Sequence, residues 1–184
     1  MPPDHALQYP MVRLTDIVEK VRAYQPQADF ELLHRAFTFA AEKHEGQKRK
    51  SGEPYITHPT AVAAIIAEMH LDVASVSAAF LHDVVEDCAV SDDDMRKRFG
   101  DEIAFLVDGV TKLGKIHFSS KEDQQAESFR KMVVAMARDI RVLVVKLADR
   151  LDNMRTLSHM KPEAQVRIAE ETLDIYAPLA GRLG

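Results

Sequence analysis

A histidine and three carboxylates lie within six residues of one another, in the segment LHDVVED that spans residues 81–87. If this segment is helical, His82 and Glu86 are four residues apart, as are Asp83 and Asp87, so both pairs lie on one surface. No lysine or arginine separates them, and the preceding AAF indicates that the helix is buried just upstream. Because a buried anionic cluster requires a compensating cation, the segment favours a bound metal ion.

A further carboxylate lies inside a strongly apolar stretch, IRVLVVKLADRL, which spans residues 140–151. A helix that is apolar on almost every side belongs to a protein core, and Asp149 falls within it. Asn153 is four residues further on and Thr156 three more, so the three polar side chains share one helix face. We expect this strip to face a ligand.

Imidazole and carboxylate ligands together suit Mn²⁺, Fe²⁺, Zn²⁺ or a related ion rather than Ca²⁺, which prefers all-oxygen ligands. An ion held by two histidines and two aspartates keeps positions open for water and substrate, which is the arrangement that activates a hydroxide and polarises a phosphoryl group. Simpler explanations remain open at this point. The dyad at residues 82–83 can decorate a surface, Asp149 can form a buried ion pair with Arg150 or Lys146, and the basic run at residues 48–50 can be a solvated loop.

The elements that position these side chains are predicted to be helices. Apolar residues recur with the spacing i, i+3, i+4, i+7 in four stretches, and no segment of useful length alternates with period two. The sequence therefore predicts an all-α fold. The four apolar stripes span Leu33–His44, Val62–Met69, Ile103–Val110 and Ala126–Ala137.

Turn-forming residues mark the breaks between these helices. The segment GQKRKSGEP, residues 46–54, contains two glycines, a proline and three consecutive basic residues, and it predicts a substantial loop. Thr57 or His58 is expected to begin the next helix. Ser91 with Asp94 three residues later resembles a capping box, in which the serine side chain begins a helix.

The composition narrows the class of protein and of partner. A chain of 184 residues fits one domain. The formal net charge of -5 argues against general affinity for nucleic acid or an anionic membrane, although a local basic cluster can still bind a small anionic substrate. Cys88 is the only cysteine, the N-terminus lacks a signal-peptide pattern, and no apolar run approaches the roughly 18 residues of a membrane span, so we expect a cytoplasmic protein.

Five ordered motifs carry a resemblance to a known family: GQKRKSGEPYITHP, FLHDVVED, LVDGVTKLGKI, VKLADRLDNMRTL and IAEETLDIYAPLAGRLG. From Phe30 to Gly184 the chain resembles the N-terminal hydrolase domain of the long RelA/SpoT-type alarmone enzymes, within the HD-type metal phosphohydrolases. The resemblance implies an HD-domain helical bundle over residues 29–184, preceded by an extension with a first helix at 1–28. It also implies that the chain is a fragment of a longer bifunctional enzyme, with a covalently attached synthetase domain. The implied metal ligands are His58, His82, Asp83 and Asp149.

The resemblance implies hydrolysis of the 3′-pyrophosphate of ppGpp and pppGpp, which gives GDP or GTP and pyrophosphate, with one Mn²⁺ per site. Glu86 and Asp87 are then expected to orient or deprotonate the attacking water. The implied nucleotide contacts are Arg49 and Lys50 to the guanine nucleotide, Asn153 to the ribose, Thr156 near the 5′ phosphates and Tyr55 in the site wall.

Two positions depart from the family pattern. Asp152 stands where the family usually has histidine, and we expect its negative charge to weaken phosphate binding or alter metal preference. Cys88 replaces a threonine and is expected to be tolerated as a small buried residue, and His44 is a candidate for contact with the metal ligands. Two alternatives stay open: a phosphohydrolase acting on another nucleotide, and a regulatory module that binds the alarmone without cleaving it.

Overall fold

The computed structural model describes residues 12–114, 134 and 138–183. Over these residues the chain is helical, and an isolated bridge between Lys48 and Pro54 is its sole β-type pairing. A 3₁₀ turn at Leu157–His159 and a π-helical turn at Thr172–Tyr176 separate the last helices. The α-helices are α1 (Leu14–Tyr24), α2 (Phe30–Lys43), α3 (Thr57–Glu68), α4 (Val73–Leu81), α5 (Val84–Asp87), α6 (Asp92–Gly114), α7 (Ile140–Arg155), α8 (Pro162–Glu171) and α9 (Ala177–Leu183). The predicted all-α class is confirmed.

Helix α4 forms the centre of the bundle. Every residue from Ala74 to Leu81 is buried, as expected of a helix without a polar face, and α4 packs against α2, α3, α6 and α7. The Asp72 carboxylate accepts a hydrogen bond from the backbone N–H of Ser75 and so caps the first turn. Helix α7 packs against both α3 and α6. The three helices α3, α4 and α7 therefore bring their polar residues to one region of the core.

The apolar stripes predicted from the sequence form much of this core. Leu33, Val62 and Leu106, one from each of the first three stripes, are fully buried. Met69 is the exception, because it follows the last turn of α3 and its side chain is 54% exposed. The fourth stripe, Ala126–Ala137, lies outside the residues that the structure describes.

The predicted helix starts are confirmed. Helix α3 begins at Thr57, and Ser91 caps α6 through its hydroxyl oxygen, which accepts the backbone N–H of Asp94 at 3.1 Å while the Ser91 hydroxyl donates to the Asp94 carboxylate. Helix α6 is interrupted at Gly100, whose φ of 84° lies in the left-handed region that favours glycine.

Helix α1 belongs to the same packed unit as the helices that follow it. Ile17, Val18 and Val21 are buried where α1 packs against α2 and α3. At the other end, the guanidinium carbon of Arg150 lies 4.2 Å from the centre of the Tyr176 ring, which holds the π-helical turn against α7. Over the residues the structure describes, no helix combines the length and apolar character that a bilayer crossing requires.

Candidate active site

Three buried side chains from three different helical segments meet at one point. His58 lies in the first turn of α3, His82 directly follows α4, and Asp149 lies in α7. One potential metal-ligand atom from each lies within 4.8 Å of the other two. These residues span some ninety positions of the sequence, so the helix packing alone assembles the cluster.

The dyad segment is not one continuous helix. Helix α4 ends at Leu81, and the single turn α5 begins at Val84, so His82 and Asp83 form the bend between them. The Asp83 carboxylate consequently faces both imidazoles, with Oδ1 3.1 Å from Nε2 of His82 and Oδ2 3.5 Å from Nε2 of His58. The predicted fourth ligand thus lies beside the other three.

His82 presents an unsatisfied nitrogen to the cluster. Its Nδ1–H donates to the carbonyl oxygen of Ala79 at 2.8 Å, which leaves Nε2 to face Asp83 and Asp149. Nε2 is buried and makes no hydrogen bond with suitable geometry, despite the nearby Asp83 oxygen. A buried polar atom without a partner is costly, and a metal ion at this position would satisfy it. The residues present therefore fit a metal site.

Asp152 orients the His58 ring by contacting the ring nitrogen that faces away from the cluster. Nδ1 lies 2.7 Å from Oδ2 of Asp152, while Nε2 lies 3.3 Å from Oδ1 of Asp149. With the proton on Nδ1, the Nε2 lone pair points into the cluster, as in many histidines that bind metal ions.

The electrostatics of the protein without an ion also favour a cation. Burial lowers the pKa of His58, but its contacts with the carboxylates of Asp149, Asp152 and Asp83 outweigh burial and raise the pKa to about 9. Burial likewise opposes, and Asp83 drives, a rise in the pKa of His82. The carboxylates around both imidazoles therefore favour positive charge at this point, which a divalent ion also supplies.

Asp149 forms the ion pair with Lys146 and also turns one oxygen toward the cluster. Its Oδ2 accepts a bond from Nζ of Lys146 at 2.7 Å, whereas Oδ1 faces the histidines and accepts a bond from Nδ2 of Asn153 at 2.6 Å. Arg150 instead pairs with Glu171 at 3.1 Å. Burial tends to raise the pKa of Asp149, but His58 and Lys146 outweigh it and keep the carboxyl ionised.

The predicted basic loop is a tight turn that points one of its three cations, Arg49, inward and leaves the other two, Lys48 and Lys50, exposed. The backbone N–H of Arg49 donates to the carbonyl of Glu53 at 2.9 Å, and that of Tyr55 donates to the carbonyl of Gln47 at 3.0 Å. The Arg49 guanidinium points inward and bonds Oγ1 of Thr156 at 2.8 Å, whereas Lys50 is exposed.

Arg49 also pairs with Asp152, at 2.9 Å between Nη1 and Oδ2. The Asp152 side chain is only 6% exposed. Its negative charge is therefore buried and paired with Arg49 and His58. A contact between residues so distant in sequence has no local signal, so the sequence identified Asp152 as unusual without identifying its partners.

Tyr55 connects a predicted metal ligand to the acidic pair. Its hydroxyl lies 2.8 Å from Oδ2 of Asp83 and 3.1 Å from Oδ2 of Asp87, and can donate to either carboxylate. Burial and these two carboxylates raise the pKa of Tyr55, so the phenol stays protonated. Glu86 and Asp87 are both exposed, and Asp87 reaches the cluster through the Tyr55 hydroxyl.

His44 and Cys88 lie behind Tyr55. The His44 ring stacks on the Tyr55 ring with centroids 4.6 Å apart, and His44 Nδ1 lies 2.8 Å from Oε1 of Gln47. The Cys88 sulfur is 3.4 Å from the same nitrogen and is half-buried. His44 thus reaches the metal cluster through Tyr55.

Comparison with known proteins identifies the family. The family profile described as HD domain matches residues 36–184, which is most of the chain. The chain belongs to the HD-domain family. Family membership and the cluster of His58, His82 and Asp149 together indicate that this HD domain has a metal-dependent site.

Curated relatives of this HD domain are bacterial proteins named for alarmone chemistry. The chain is 54% identical over 164 residues to the bifunctional (p)ppGpp synthase/hydrolase SpoT of Escherichia coli, covering 89% of this chain and 23% of SpoT. It is 53% identical over 171 residues to a guanosine-3′,5′-bis(diphosphate) 3′-pyrophosphohydrolase of Vibrio cholerae, covering 93% and 24%. It is also 55% identical over 167 residues to a GTP pyrophosphokinase of Myxococcus xanthus, covering 89% and 22%. The chain therefore spans less than a quarter of the length of each relative.

A solved structure shares the fold of this HD domain. It is described as a metazoan orthologue of SpoT that hydrolyses ppGpp, and it superposes with a TM-score of 0.61 at 28% identity. The match covers 77% of this chain and 82% of that protein. The likeness thus extends over most of both chains.

Proposed function

We propose that this HD domain hydrolyses the 3′-pyrophosphate of ppGpp and pppGpp, yielding GDP or GTP and pyrophosphate. The observation that carries the proposal is the buried, unpartnered Nε2 of His82, which faces His58 and Asp149 in a metal-ligand cluster. Relatives named as a ppGpp 3′-pyrophosphohydrolase and as SpoT share more than half of their aligned residues with this chain. The cluster supports metal-dependent hydrolysis, and the names of the relatives support ppGpp and pppGpp as substrates.

The proposed cofactor is a single Mn²⁺ ion per site, held by His58, His82, Asp83 and Asp149. Mixed imidazole and carboxylate ligands suit this ion. When bound, it supplies an activated water and polarises the phosphoryl group. The protein fixes the ligands in advance, because the second nitrogen of each histidine is bonded to a protein oxygen.

The acidic pair Glu86 and Asp87 is proposed to manage the proton of the attacking water. The water oxygen forms a bond to the phosphorus carried by the 3′ oxygen, and the bond between that phosphorus and the 3′ oxygen breaks. The departing 3′ oxygen takes up one proton, returned by the carboxyl group that accepted it or drawn from solvent, and becomes the ribose hydroxyl. Glu86 or Asp87 accepts the proton that the water loses, as a general base does. The Tyr55 hydroxyl lies between Asp83 and Asp87 and can donate its one hydrogen to either carboxylate.

The nucleotide is proposed to lie along the polar strip of α7 and the basic loop. Lys50 is exposed and can meet a phosphate, while Arg49 lies fixed at the base of the loop beside Thr156. The Asn153 amide donates one hydrogen to Asp149. Because the residue is exposed, its oxygen and its second hydrogen are available to the ribose.

Product analysis tests the proposal. We expect the purified chain with Mn²⁺ to convert ppGpp to GDP and pyrophosphate in equal amounts, and EDTA to abolish the reaction. Asp83→Ala is expected to abolish turnover as well. Asp108→Asn is the matched control, because that carboxylate is partly exposed on α6 and bonds Lys112. Turnover that persists in a clean Asp83→Ala preparation contradicts the metal assignment.

The same assay separates the alternatives. Activity on nucleotides that lack a 3′-pyrophosphate, without preference for ppGpp, identifies a phosphohydrolase of different specificity. Tight ppGpp binding by calorimetry with no turnover under any divalent ion identifies a regulatory binding module. The attached synthetase domain stays a prediction, which full-length protein incubated with GTP and ATP tests directly.

A further inference from the structure

Asp152 is a buried carboxylate for which the proposed reaction has no assigned role. It lies on α7 one turn beyond Asp149, and the residue is 4% exposed. A buried carboxylate is costly unless it is paired and hydrogen-bonded. The Asp152 carboxylate therefore needs groups inside the protein that pair with it.

A single oxygen of Asp152 contacts both a proposed metal ligand, His58, and the basic loop. Oδ2 lies 2.7 Å from Nδ1 of His58 and 2.9 Å from Nη1 of Arg49. A carboxylate oxygen is an acceptor, so the proton of His58 belongs on Nδ1 when Nε2 serves as a metal ligand. The ring is thus fixed with Nε2 toward Asp149.

Arg49 gives this buried carboxylate a cationic partner. Its Nη1 lies 2.9 Å from Oδ2 of Asp152, and neither side chain is more than 10% exposed. An ionised acceptor makes a stronger hydrogen bond to the imidazole than a neutral one does. Because Arg49 also bonds Thr156, which directly follows α7, it joins the loop to two positions four residues apart.

We propose that Asp152 is a positioning residue, which orients His58 for metal binding and couples that ligand to the nucleotide-binding loop through Arg49. This role rests on the proposed metal-dependent hydrolysis. Asp152 contacts His58 and Arg49 and acts on the reaction through them.

Metal affinity gives the first test. Changes of residues that orient a metal ligand typically cost about 10- to 100-fold in affinity, so we expect that loss for Mn²⁺ with Asp152→Ala. Asp152→Asn keeps an uncharged acceptor for His58, and its loss is expected to stay below about tenfold. Asp108→Asn, which removes a surface carboxylate, is expected to bind Mn²⁺ as the parent does. Far-UV circular dichroism confirms the fold of each variant, and the paramagnetic signal of free Mn²⁺ measures binding.

The His58 Nδ1 proton gives a second test that a merely structural residue would not pass. In ¹⁵N-histidine-labelled parent protein we expect a far-downfield, slowly exchanging Nδ1 proton, both metal-free and loaded with diamagnetic Zn²⁺. Asp152→Asn is expected to shift this proton upfield, and Asp152→Ala to abolish its protection from exchange. Because the parent spectrum is itself informative, the test stands even if the alanine variant fails to fold.

The outcomes distinguish this inference from the proposed function. Parent protein that binds no divalent ion overturns the hydrolase proposal, while the metal-free spectrum still reports whether Asp152 orients His58. A folded Asp152→Ala variant with parental Mn²⁺ affinity overturns the positioning role. A parent His58 Nδ1 proton that exchanges freely with solvent, or an unchanged chemical shift in Asp152→Asn, also overturns it.

Discussion

Asp149 has a structural partner as well as a proposed metal ion, and the two roles can be separated by mutation. Its side chain is 8% exposed and that of Lys146 is 15% exposed, so the pair between them is nearly buried. Removing one partner of a buried pair costs about 3–5 kcal/mol, because an uncompensated charge remains. Since Lys146 keeps some contact with water, we expect Asp149→Ala to cost about 3 kcal/mol in the free energy of unfolding, at the low end of that range.

Urea unfolding followed by far-UV circular dichroism, with EDTA present, measures this cost without any contribution from a metal ion. For a chain of this size, about 3 kcal/mol corresponds to a fall of about 6–12 °C in the melting temperature. The double variant Lys146→Met/Asp149→Ala removes both charges and is expected to recover most of the loss. Neither variant is expected to bind Mn²⁺ as the parent does. A loss below about 1 kcal/mol for Asp149→Ala, or a double variant no more stable than the single one, refutes the reasoning.

Three further predictions concern the site and the core. Tyr55→Phe removes the hydroxyl that bridges the two carboxylates of the site; because a hydrogen bond to a charged group contributes about 1.5–3 kcal/mol, we expect kcat/KM for pyrophosphate release to fall by about 10- to 100-fold. The pKa of His58 is raised to about 9 in the metal-free protein, so Mn²⁺ must displace its proton. The apparent affinity for Mn²⁺ should therefore rise with pH between about 6 and 8, and calorimetry in two buffers should show about one proton or more released per ion. Binding that does not change with pH would contradict this. Gly109→Ala brings a Cβ to 2.8 Å from a Val142 methyl group and is expected to lower the free energy of unfolding by about 1–3 kcal/mol. Gly181→Ala meets nothing within 4 Å and is not expected to destabilise the protein. Equal melting temperatures for the two variants would contradict this, because they would show that the core adjusts to the added methyl group.

The parts of the fold that depend on local physics were predictable from the sequence. The apolar stripe of α6 and the Ser91 cap follow from side-chain spacing and from hydrogen bonds between near neighbours. Met69 was misplaced because the helical spacing continues one residue beyond the end of α3, where the chain turns away from the core. Periodicity gives a residue's face on a helix, but the point at which packing ends that helix is set by the neighbouring helices.

The site was predictable from the sequence only where single residues are chemically unusual. The aspartate within an apolar helix and the His-Asp dyad are chemically unusual, so single positions identified Asp149, His82 and Asp83 as candidates. Their mutual distances depend on how α3, α4 and α7 pack, which no local pattern specifies. The bend at the dyad and the inward guanidinium of Arg49 likewise arise from tertiary contacts, such as the bond from Arg49 to Thr156 across 107 residues.

We propose that one divalent ion binds among His58, His82 and Asp149, at the buried Nε2 of His82. Titration of the metal-free chain with Mn²⁺, followed through the paramagnetic signal of the free ion, measures this binding. We expect one ion to bind per chain, and His82→Ala to abolish that binding while far-UV circular dichroism confirms that the helices remain. No saturable binding to the folded parent, or equal affinity in the folded His82→Ala variant, would contradict the claim.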